Sequence, residues 1–217
     1  MNVVIIDYGS GNLHSAAKAF ERAARDNGLD QTIEVSSDPA KVAAASRIVL
    51  PGQGAFADCK RGLDDLPGMA EALQRAVIED GRPFLGICVG AQLMARRCHE
   101  HGIHDGLGWI DAEVVATETP VGTGPFYRIP HMGWNDLKIR DRAHPLFAGI
   151  DDGRHVYFVH SFHIRPAKAG ELLAEVTDGA AITAAVGRDN LVGTQFHPDK
   201  SQAVGLRIIA NFLRWRP

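Results

Sequence analysis

The stretch that decides the fold is residues 84–92, Phe-Leu-Gly-Ile-Cys-Val-Gly-Ala-Gln. It opens on an apolar run that predicts a buried strand, and the residues after Cys88 begin a predicted helix. The Gly-x-Cys-x-Gly pattern is that of a nucleophile elbow, a sharp strand-to-helix turn, with cysteine in place of serine. Glycine is needed on both sides because the backbones of strand and helix approach closely. The stretch predicts an α/β fold with Cys88 at the carboxyl end of a strand.

Cys88 therefore has the setting of a reactive thiol. The positive end of a helix dipole favours the thiolate, and the N–H of Val89 points to where an oxyanion would develop. The alternative is a buried structural cysteine, which is the usual role of an isolated one. Cys59 and Cys98 lack flanking glycines, and both are predicted to be structural, with Cys98 on the helix that follows Cys88.

Strands and helices alternate around this turn in the first half of the chain. Such alternation predicts parallel strands in a sheet that is covered by helices on both faces. The predicted strands are 3–7, 32–35, 47–50 and 83–87, and the predicted helices are 13–25, 39–45, 69–79 and 91–97.

The second half has few helical segments between its strand candidates. We expect it to extend the same sheet with antiparallel strands, which gives a single-domain, mixed but largely parallel α/β fold over residues 1–217. The predicted strands are 109–115, 126–129, 155–159, 172–176, 181–186 and 191–194, followed by a helix over 202–214.

Composition is that of an ordinary globular protein, with 45% hydrophobic and 23% charged residues. The net charge of −3 and the lack of charge blocks argue against nucleic-acid and membrane-surface binding. No leader or membrane-spanning segment is evident, and three cysteines form no disulfide framework. We expect a soluble cytoplasmic protein.

A cysteine nucleophile needs an imidazole as its base and a third group to orient that imidazole. Of the ten histidines, His197 follows the predicted strand 191–194, and Asp199 lies two positions further on. Both side chains can project to the same side of an extended segment. A His-x-Asp pair alone is weak evidence, but beside the cysteine turn it is the best candidate for a triad Cys88, His197, Asp199.

Metal and nucleotide cofactors are not expected. His99, His101 and His104 do not have the spacing of a zinc-binding helix. The segment Gly9-Ser10-Gly11 lacks the third glycine of a dinucleotide fingerprint.

A second glycine-rich loop, Pro51-Gly52-Gln53-Gly54, follows the predicted strand 47–50. If this strand neighbours that of Cys88, the N–H of Gly52 or Gln53 can serve as the second oxyanion donor beside Val89. A simple turn would use the same glycines, so both interpretations stay open.

Together these segments resemble the class I glutamine amidotransferases, and within them the subunits that serve imidazole glycerol phosphate synthase in histidine biosynthesis. The elbow marks the broad class, whereas the opening segment and Met132-Gly133-Trp134-Asn135 point to this branch. The segments that carry the resemblance, which covers nearly the whole chain, are 4–13, 51–56, 86–92, 131–135, 157–161 and 195–201.

The resemblance implies that Cys88 attacks the side-chain amide of L-glutamine, with His197 as base and Asp199 as its orienter. It also implies a heterodimer with a (β/α)₈-barrel cyclase, which receives ammonia through a channel and makes imidazole glycerol phosphate and an aminoimidazole carboxamide ribotide. The family usually has glutamate at position 199, one methylene longer than aspartate. The further residues implied are Gln92, Glu100, His160 and Ser161 near the glutamine, and Asn12, Trp134, Tyr157 and Lys200 near the partner.

Three alternatives stay open at this point. The chain could be the glutaminase half of another amidotransferase with a different synthase as partner. It could be a cysteine hydrolase that acts alone. It could also be a binding subunit without catalytic activity, its triad weakened by Asp199.

Overall fold

The computed structural model describes residues 1–117, 129–178 and 180–217. The strands of the first half and the short strands after them come in chain order: β1 (Asn2–Ile6), β2 (Thr32–Ser36), β3 (Arg47–Gly52), β4 (Phe84–Cys88), β5 (Arg97–Cys98), β6 (His104–Asp105) and β7 (Ala112–Ala116). The second half adds β8 (His131–Asp136), β9 (Lys138–Ile139), β10 (His155–His160), β11 (Phe162–Pro166), β12 (Leu172–Asp178), β13 (Ala180–Arg188) and β14 (Leu191–Thr194).

An eight-stranded sheet has the order β2-β1-β3-β4-β14-β13-β12-β9. The strands from β2 to β14 are parallel, and those from β14 to β9 are antiparallel. Two smaller sheets, β10-β8 and β11-β7-β5-β6, lie outside it. The predicted mixed, largely parallel sheet with an antiparallel extension is thereby confirmed.

Six α-helices occur in the described residues, and none of them has the length and apolarity to cross a bilayer. Three short 3₁₀ turns, Pro145–Phe147, Ala169–Glu171 and Pro198–Lys200, complete the regular structure. The helices are α1 (Leu13–Asp26), α2 (Pro39–Ala43), α3 (Phe56–Asp64), α4 (Met69–Leu73, continued by a π-helical segment Gln74–Glu79), α5 (Val89–Gln92) and α6 (Gln202–Arg214).

The helix α1 illustrates how the sequence pattern produces the layers. Its buried residues recur every three or four positions and form one apolar face. Phe20 on this face meets Phe212 of α6 edge to face, with ring centroids 6.3 Å apart. The side chain of Asn12 caps the helix by accepting a hydrogen bond from the N–H of Ser15 at 3.2 Å.

The predicted helix 91–97 is wrong in its extent, because α5 begins at Val89 and ends at Gln92. The carbonyl groups of residues 93–96 accept hydrogen bonds from the N–H groups of residues 106–110, so they do not propagate a helix. The chain then enters β5, which places Cys98 in a strand and not on a helix. Cys98 and Cys59 are both buried thiols.

Boundaries in the second half also differ from the predicted ones. The predicted strand 109–115 begins only at Ala112, since Trp109 and Ile110 donate to the carbonyl of Met94. The strands β8, β9 and β11 were not predicted. The predicted strand 126–129 lies outside the described residues except for its last position, which is in no strand.

The turn after β4 depends on backbone contact that only glycine permits. A Cβ atom on Gly90 would lie 1.8 Å from the carbonyl oxygen of Leu50 in β3. A Cβ atom on Gly86 would lie 2.6 Å from the carbonyl oxygen of Gly90. The helix α5 is therefore seated directly on β3 and β4, as the Gly-x-Cys-x-Gly pattern predicts.

We expect Gly90→Ala to lower the free energy of unfolding by about 3 kcal/mol, since backbone atoms must separate to admit the methyl group. Gly170→Ala is the matched control, because a Cβ atom at Gly170 meets no atom within 4 Å. The control should stay within about 0.5 kcal/mol of the parent. Urea unfolding of both variants measures the difference, and equal stability of the two would refute the close packing.

Candidate active site

Three adjacent parallel strands end at one edge of the large sheet and carry the candidate site. Gly52 at the end of β3 is paired in register with Cys88 at the end of β4. On the other side, Thr194 at the end of β14 is paired with Ile87. His197 follows β14 three residues later, so the predicted nucleophile and base leave neighbouring strands at the same edge.

Cys88 has backbone angles of φ 56° and ψ −113°, a conformation that residues with a Cβ atom rarely adopt. Cys88 is buried, with only 4% of the residue exposed. It lines a cavity of about 440 Å³, which lies in the usual range for small-molecule sites, roughly 300–1,000 Å³. The other lining residues are Gln53, Gly54, Val89, Gln92, Glu100, Pro130, Tyr157, Val159, His160, Ser161, Phe162, His197 and Lys200.

The sulfur of Cys88 is surrounded by few polar groups. Gln195 donates from Nε2 to Sγ at 3.6 Å, and the carbonyl oxygen of Val159 lies 4.0 Å from Sγ. Burial raises the pKa of the thiol to about 12, although the N–H of Val89 and the charge of Lys200 act in the opposite direction. The expected thiolate is therefore not the resting form of Cys88. The helix α5 has only one turn, so its weak dipole does not offset the cost of burying the charge.

His197 is buried and presents a nitrogen without a hydrogen-bond partner. Within the described residues no donor or acceptor reaches its Nε2. Its Nδ1 lies 3.8 Å from Oδ1 of Asp199, whose side chain is 4% exposed. Burial, then the charge of Lys200, lowers the pKa of His197 to about 4, while Asp199 acts to raise it. The ring is thus neutral at neutral pH, with Nε2 available for a proton.

Asp199 lies 3.8 Å from the neutral ring of His197, which is too far for a hydrogen bond. Its other oxygen, Oδ2, accepts a hydrogen bond from the hydroxyl of Ser15 at 2.7 Å. Ser15 lies in the first turn of α1, so this helix holds the carboxylate in place. In this arrangement the carboxylate can act on the imidazole only through its charge and not through a direct hydrogen bond, so the orienting role of Asp199 stays a prediction.

The predicted oxyanion loop is in a different arrangement from the one expected. The N–H of Gln53 donates to the hydroxyl of Ser10 at 3.0 Å, and that hydroxyl donates back to the carbonyl of Gln53 at 2.8 Å. Gln53 lines the cavity, whereas Gly52 lines a smaller recess beside Asp199. A second oxyanion donor from Gln53 requires its bond with Ser10 to open, and it stays a prediction.

All four residues predicted near the glutamine line the cavity. One carboxylate oxygen of Glu100, Oε2, accepts a hydrogen bond from the N–H of Phe56 at 2.7 Å. The amide nitrogen of Gln92 is occupied as well, by the carbonyl of Phe162 at 2.8 Å and by Gln195 at 3.1 Å. Among the described contacts of these four residues, the hydroxyl of Ser161 makes no hydrogen bond, so it is free to contact a ligand in the cavity.

His160 has both ring nitrogens in use. Its Nδ1 lies 3.0 Å from the carbonyl of Phe162, which can only accept, so this nitrogen carries the proton. Its Nε2 accepts from Nδ1 of His131 at 2.9 Å, which leaves Nε2 of His131 facing Asp178 at 3.6 Å. Burial lowers the pKa of His160 to about 3. His160 shapes the cavity wall and has no ring nitrogen left to bind a substrate.

Of the four predicted partner-facing residues, two line the cavity and two lie outside its lining. Tyr157 and Lys200 line it, and Trp134 meets Tyr157 edge to face with ring centroids 5.8 Å apart. Trp134 is 46% exposed, which is unusual for a large apolar side chain. Asn12 lies by the recess near His197 and caps α1.

Three polar residues at the site were not predicted from the sequence: Gln195, Ser15 and Ser10. Gln195 is 1% exposed and donates to the sulfur of Cys88, and the sequence marks it only as part of the segment 195–201. A buried amide next to a strand end was the signal available. Ser15 and Ser10 contact residues more than 40 positions away, and no local pattern announces such pairs.

Comparison with known proteins gives a family for this arrangement. A family model described as glutamine amidotransferase class-I matches residues 4–215. The chain is 58% identical over 217 residues to imidazole glycerol phosphate synthase subunit HisH of Rhodospirillum rubrum and 56% identical over 220 residues to that of Agrobacterium fabrum, in each case over 100% of both chains. A crystal structure of a glutamine amidotransferase superposes with a TM-score of 0.68 at 18% identity, covering 97% of this chain and 98% of that one, which supports the fold alone. The chain belongs to the class I glutamine amidotransferases.

Proposed function

We propose that the chain is the glutaminase subunit of imidazole glycerol phosphate synthase. It releases ammonia from L-glutamine for a (β/α)₈-barrel cyclase subunit, with which it forms a heterodimer in the cytoplasm. The single observation that carries the chemistry is the shared cavity, which Cys88 and His197 both line. The choice of synthase rests on the full-length similarity to subunits of that name. Residues 1–217 act as one amidotransferase domain.

The reaction is acyl transfer in two steps. The thiol of Cys88 passes its proton to Nε2 of His197 as sulfur attacks the amide carbon, and the resulting oxyanion is stabilised by the N–H of Val89. His197 returns the proton to the departing nitrogen as the C–N bond breaks, so that ammonia leaves and a thioester remains on Cys88. Water then attacks the thioester, and His197 relays its proton to sulfur as glutamate is released. No metal or organic cofactor is required for these steps.

The resting electrostatics favour a subunit that is slow on its own. A thiol with a pKa of about 12 and an imidazole with a pKa of about 4 are both neutral at pH 7. The N–H of Gln53 is occupied by Ser10, so this candidate donor is withheld from the oxyanion in the resting arrangement. Each missing oxyanion donor reduces turnover by about 10²- to 10³-fold. We explain activity in the complex by docking of the cyclase, which would release the N–H of Gln53 from Ser10.

The surface next to the cavity fits a partner. Ile129, Met132 and Trp134 are large apolar side chains with 51%, 62% and 46% of their surface exposed. They lie on or beside β8, whose neighbour β10 contributes Tyr157 to the lining of the cavity. Exposed apolar clusters of this kind mark protein interfaces. A cyclase seated on this patch would cover the opening through which ammonia leaves.

A catalytically silent binding subunit is the second candidate, since the distance of 3.8 Å between His197 and Asp199 is long for a triad. This candidate shares partner binding with the proposal but not glutamine hydrolysis. A glutaminase assay of the assembled complex, with the cyclase and its nucleotide ligand present, decides between the two. Hydrolysis that is absent from the complex would leave only the silent subunit.

Cys88→Ala is expected to abolish glutamine-dependent synthesis by the complex, because no thioester can form. Synthesis from added ammonium salts should persist, since the cyclase needs only ammonia. The two rates are measured on the same heterodimer, and the ammonium-dependent rate controls for assembly. Glutamine use that survives this substitution would show that another residue is the nucleophile.

Asp199→Asn is expected to lower kcat of the complex by roughly ten- to a hundredfold, well short of the ~10⁴-fold loss when a hydrogen-bonded triad aspartate is replaced. The smaller loss follows from the distance of 3.8 Å, at which only charge orients the imidazole. Asp199→Glu, one methylene longer, should retain or raise kcat. A ~10⁴-fold loss in Asp199→Asn would mean that the carboxylate closes onto His197 in the complex.

Alkylation of Cys88 in the free subunit should rise about tenfold per pH unit between pH 7 and pH 9, with no plateau. The sign follows from the pKa of about 12, because each unit of pH multiplies a small thiolate fraction tenfold. Mass spectrometry of the modified peptide after timed exposure to iodoacetamide gives the rate. A rate that is constant over this range would identify a preformed thiolate.

A further inference from the structure

A series of buried amides connects the cavity wall to the nucleophile. The carbonyl of Phe162 accepts a hydrogen bond from Nε2 of Gln92 at 2.8 Å. The same Nε2 donates to Oε1 of Gln195 at 3.1 Å. The Nε2 of Gln195 then donates to Sγ of Cys88 at 3.6 Å. Gln92 and Gln195 are only 4% and 1% exposed, so water does not compete for these groups.

The direction of each amide is fixed by the one before it. A backbone carbonyl can only accept, so it must face the nitrogen of Gln92 and not its oxygen. A second N–H on that nitrogen must face an acceptor, which is Oε1 of Gln195. The nitrogen of Gln195 is consequently turned toward the sulfur. His160, which also donates to the carbonyl of Phe162 at 3.0 Å, keeps that carbonyl in position.

We propose that Gln195 is a catalytic residue whose side-chain N–H stabilises the negative charge that develops on the sulfur of Cys88. Gln92 is the positioning residue that holds this N–H toward the sulfur. The catalytic role rests on the proposed glutaminase function, whereas the hydrogen bond to sulfur does not.

The hydrogen bond from Gln195 to Sγ offsets part of the cost of forming a buried thiolate. The thiol loses its proton in a buried environment that strongly disfavours charge, and the one-turn helix α5 offers little compensation. Hydrogen bonds to a charged acceptor are about twice as strong as those between neutral groups. A donor on the residue that follows β14 adds to the backbone N–H of Val89 and stabilises the thiolate both when it attacks and when it leaves the thioester.

Gln195→Met tests the contact, because methionine keeps the length of the side chain and removes the donor. At pH 8 we expect alkylation of Cys88 in the free subunit to slow about tenfold, as for a rise of about one unit in the thiol pKa. In the complex, kcat for glutamine should fall by a similar factor with KM nearly unchanged. A merely loosened cavity predicts the opposite, faster alkylation.

Gln31→Met is the matched control. It removes the same donor from the opposite edge of the sheet, where Nε2 of Gln31 donates to the carbonyl of Leu213 at 2.7 Å. Its alkylation rate should equal that of the parent. Gln92→Met should also slow alkylation, but by less, because Gln195 keeps its N–H and loses only its orientation. An unchanged rate in Gln195→Met overturns the proposal, and an unchanged rate in Gln92→Met overturns the positioning role.

The side-chain amide resonances of Gln195 provide a test that needs no substitution at this position, should Gln195→Met fail to fold. They should shift as the thiol of Cys88 ionises at high pH, and this shift should vanish in Cys88→Ala. Equal shifts in both proteins contradict the hydrogen bond. Slower alkylation in Gln195→Met without any glutaminase in the parent complex would refute the proposed function while leaving the sulfur contact intact.

Discussion

Contact between the backbones of two strands and one short helix is the constraint on which the site depends. The helix α5 rests so closely on β3 that a methyl group at Gly90 would overlap the carbonyl of Leu50. This contact holds Cys88 in its left-handed conformation, with φ of 56°, and thereby directs the thiol into the cavity. The strained backbone conformation of Cys88 is held in place by the fully buried strands on either side. Sheet packing and catalytic geometry are therefore parts of one arrangement.

Burial of this turn also determines its electrostatics. The same packing that positions the sulfur removes it from water, which raises the thiol pKa and lowers that of His197. A neutral pair results, and the charge that appears during reaction must be stabilised by fixed donors. The N–H of Val89 and the amide of Gln195 already face the sulfur, whereas the N–H of Gln53 is held by Ser10. The resting structure thus supports formation of the nucleophile better than stabilisation of the oxyanion.

Local sequence was sufficient for the elements whose partners are close in the chain. The glycines around Cys88 predicted the turn, and the periodic apolar residues of 202–214 predicted α6 with its observed bounds. The helix after Cys88 was overestimated, because residues 93–96 give their carbonyls to residues 106–110, a tertiary effect without a local signal. For the same reason the sequence predicted Asp199 as a site residue but not the hydrogen bond that Ser15 donates to it, since Ser15 is distant in sequence. The orientation of the side-chain amide of Gln195 depends, through Gln92, on a backbone carbonyl of another sheet. No pattern in the sequence encodes this orientation.

The position of β14 between β4 and β13 has a consequence for biosynthesis. The strand that closes the centre of the sheet is also its last in chain order, and both of its neighbours are made earlier. Until residues 191–194 leave the ribosome, β4 exposes a fully apolar edge with unpaired N–H and C=O groups, which is a template for aggregation. The nascent chain therefore carries Cys88 on an open edge for about half of its synthesis. It can complete the sheet and bring His197 to the cavity that Cys88 lines only in a single late event.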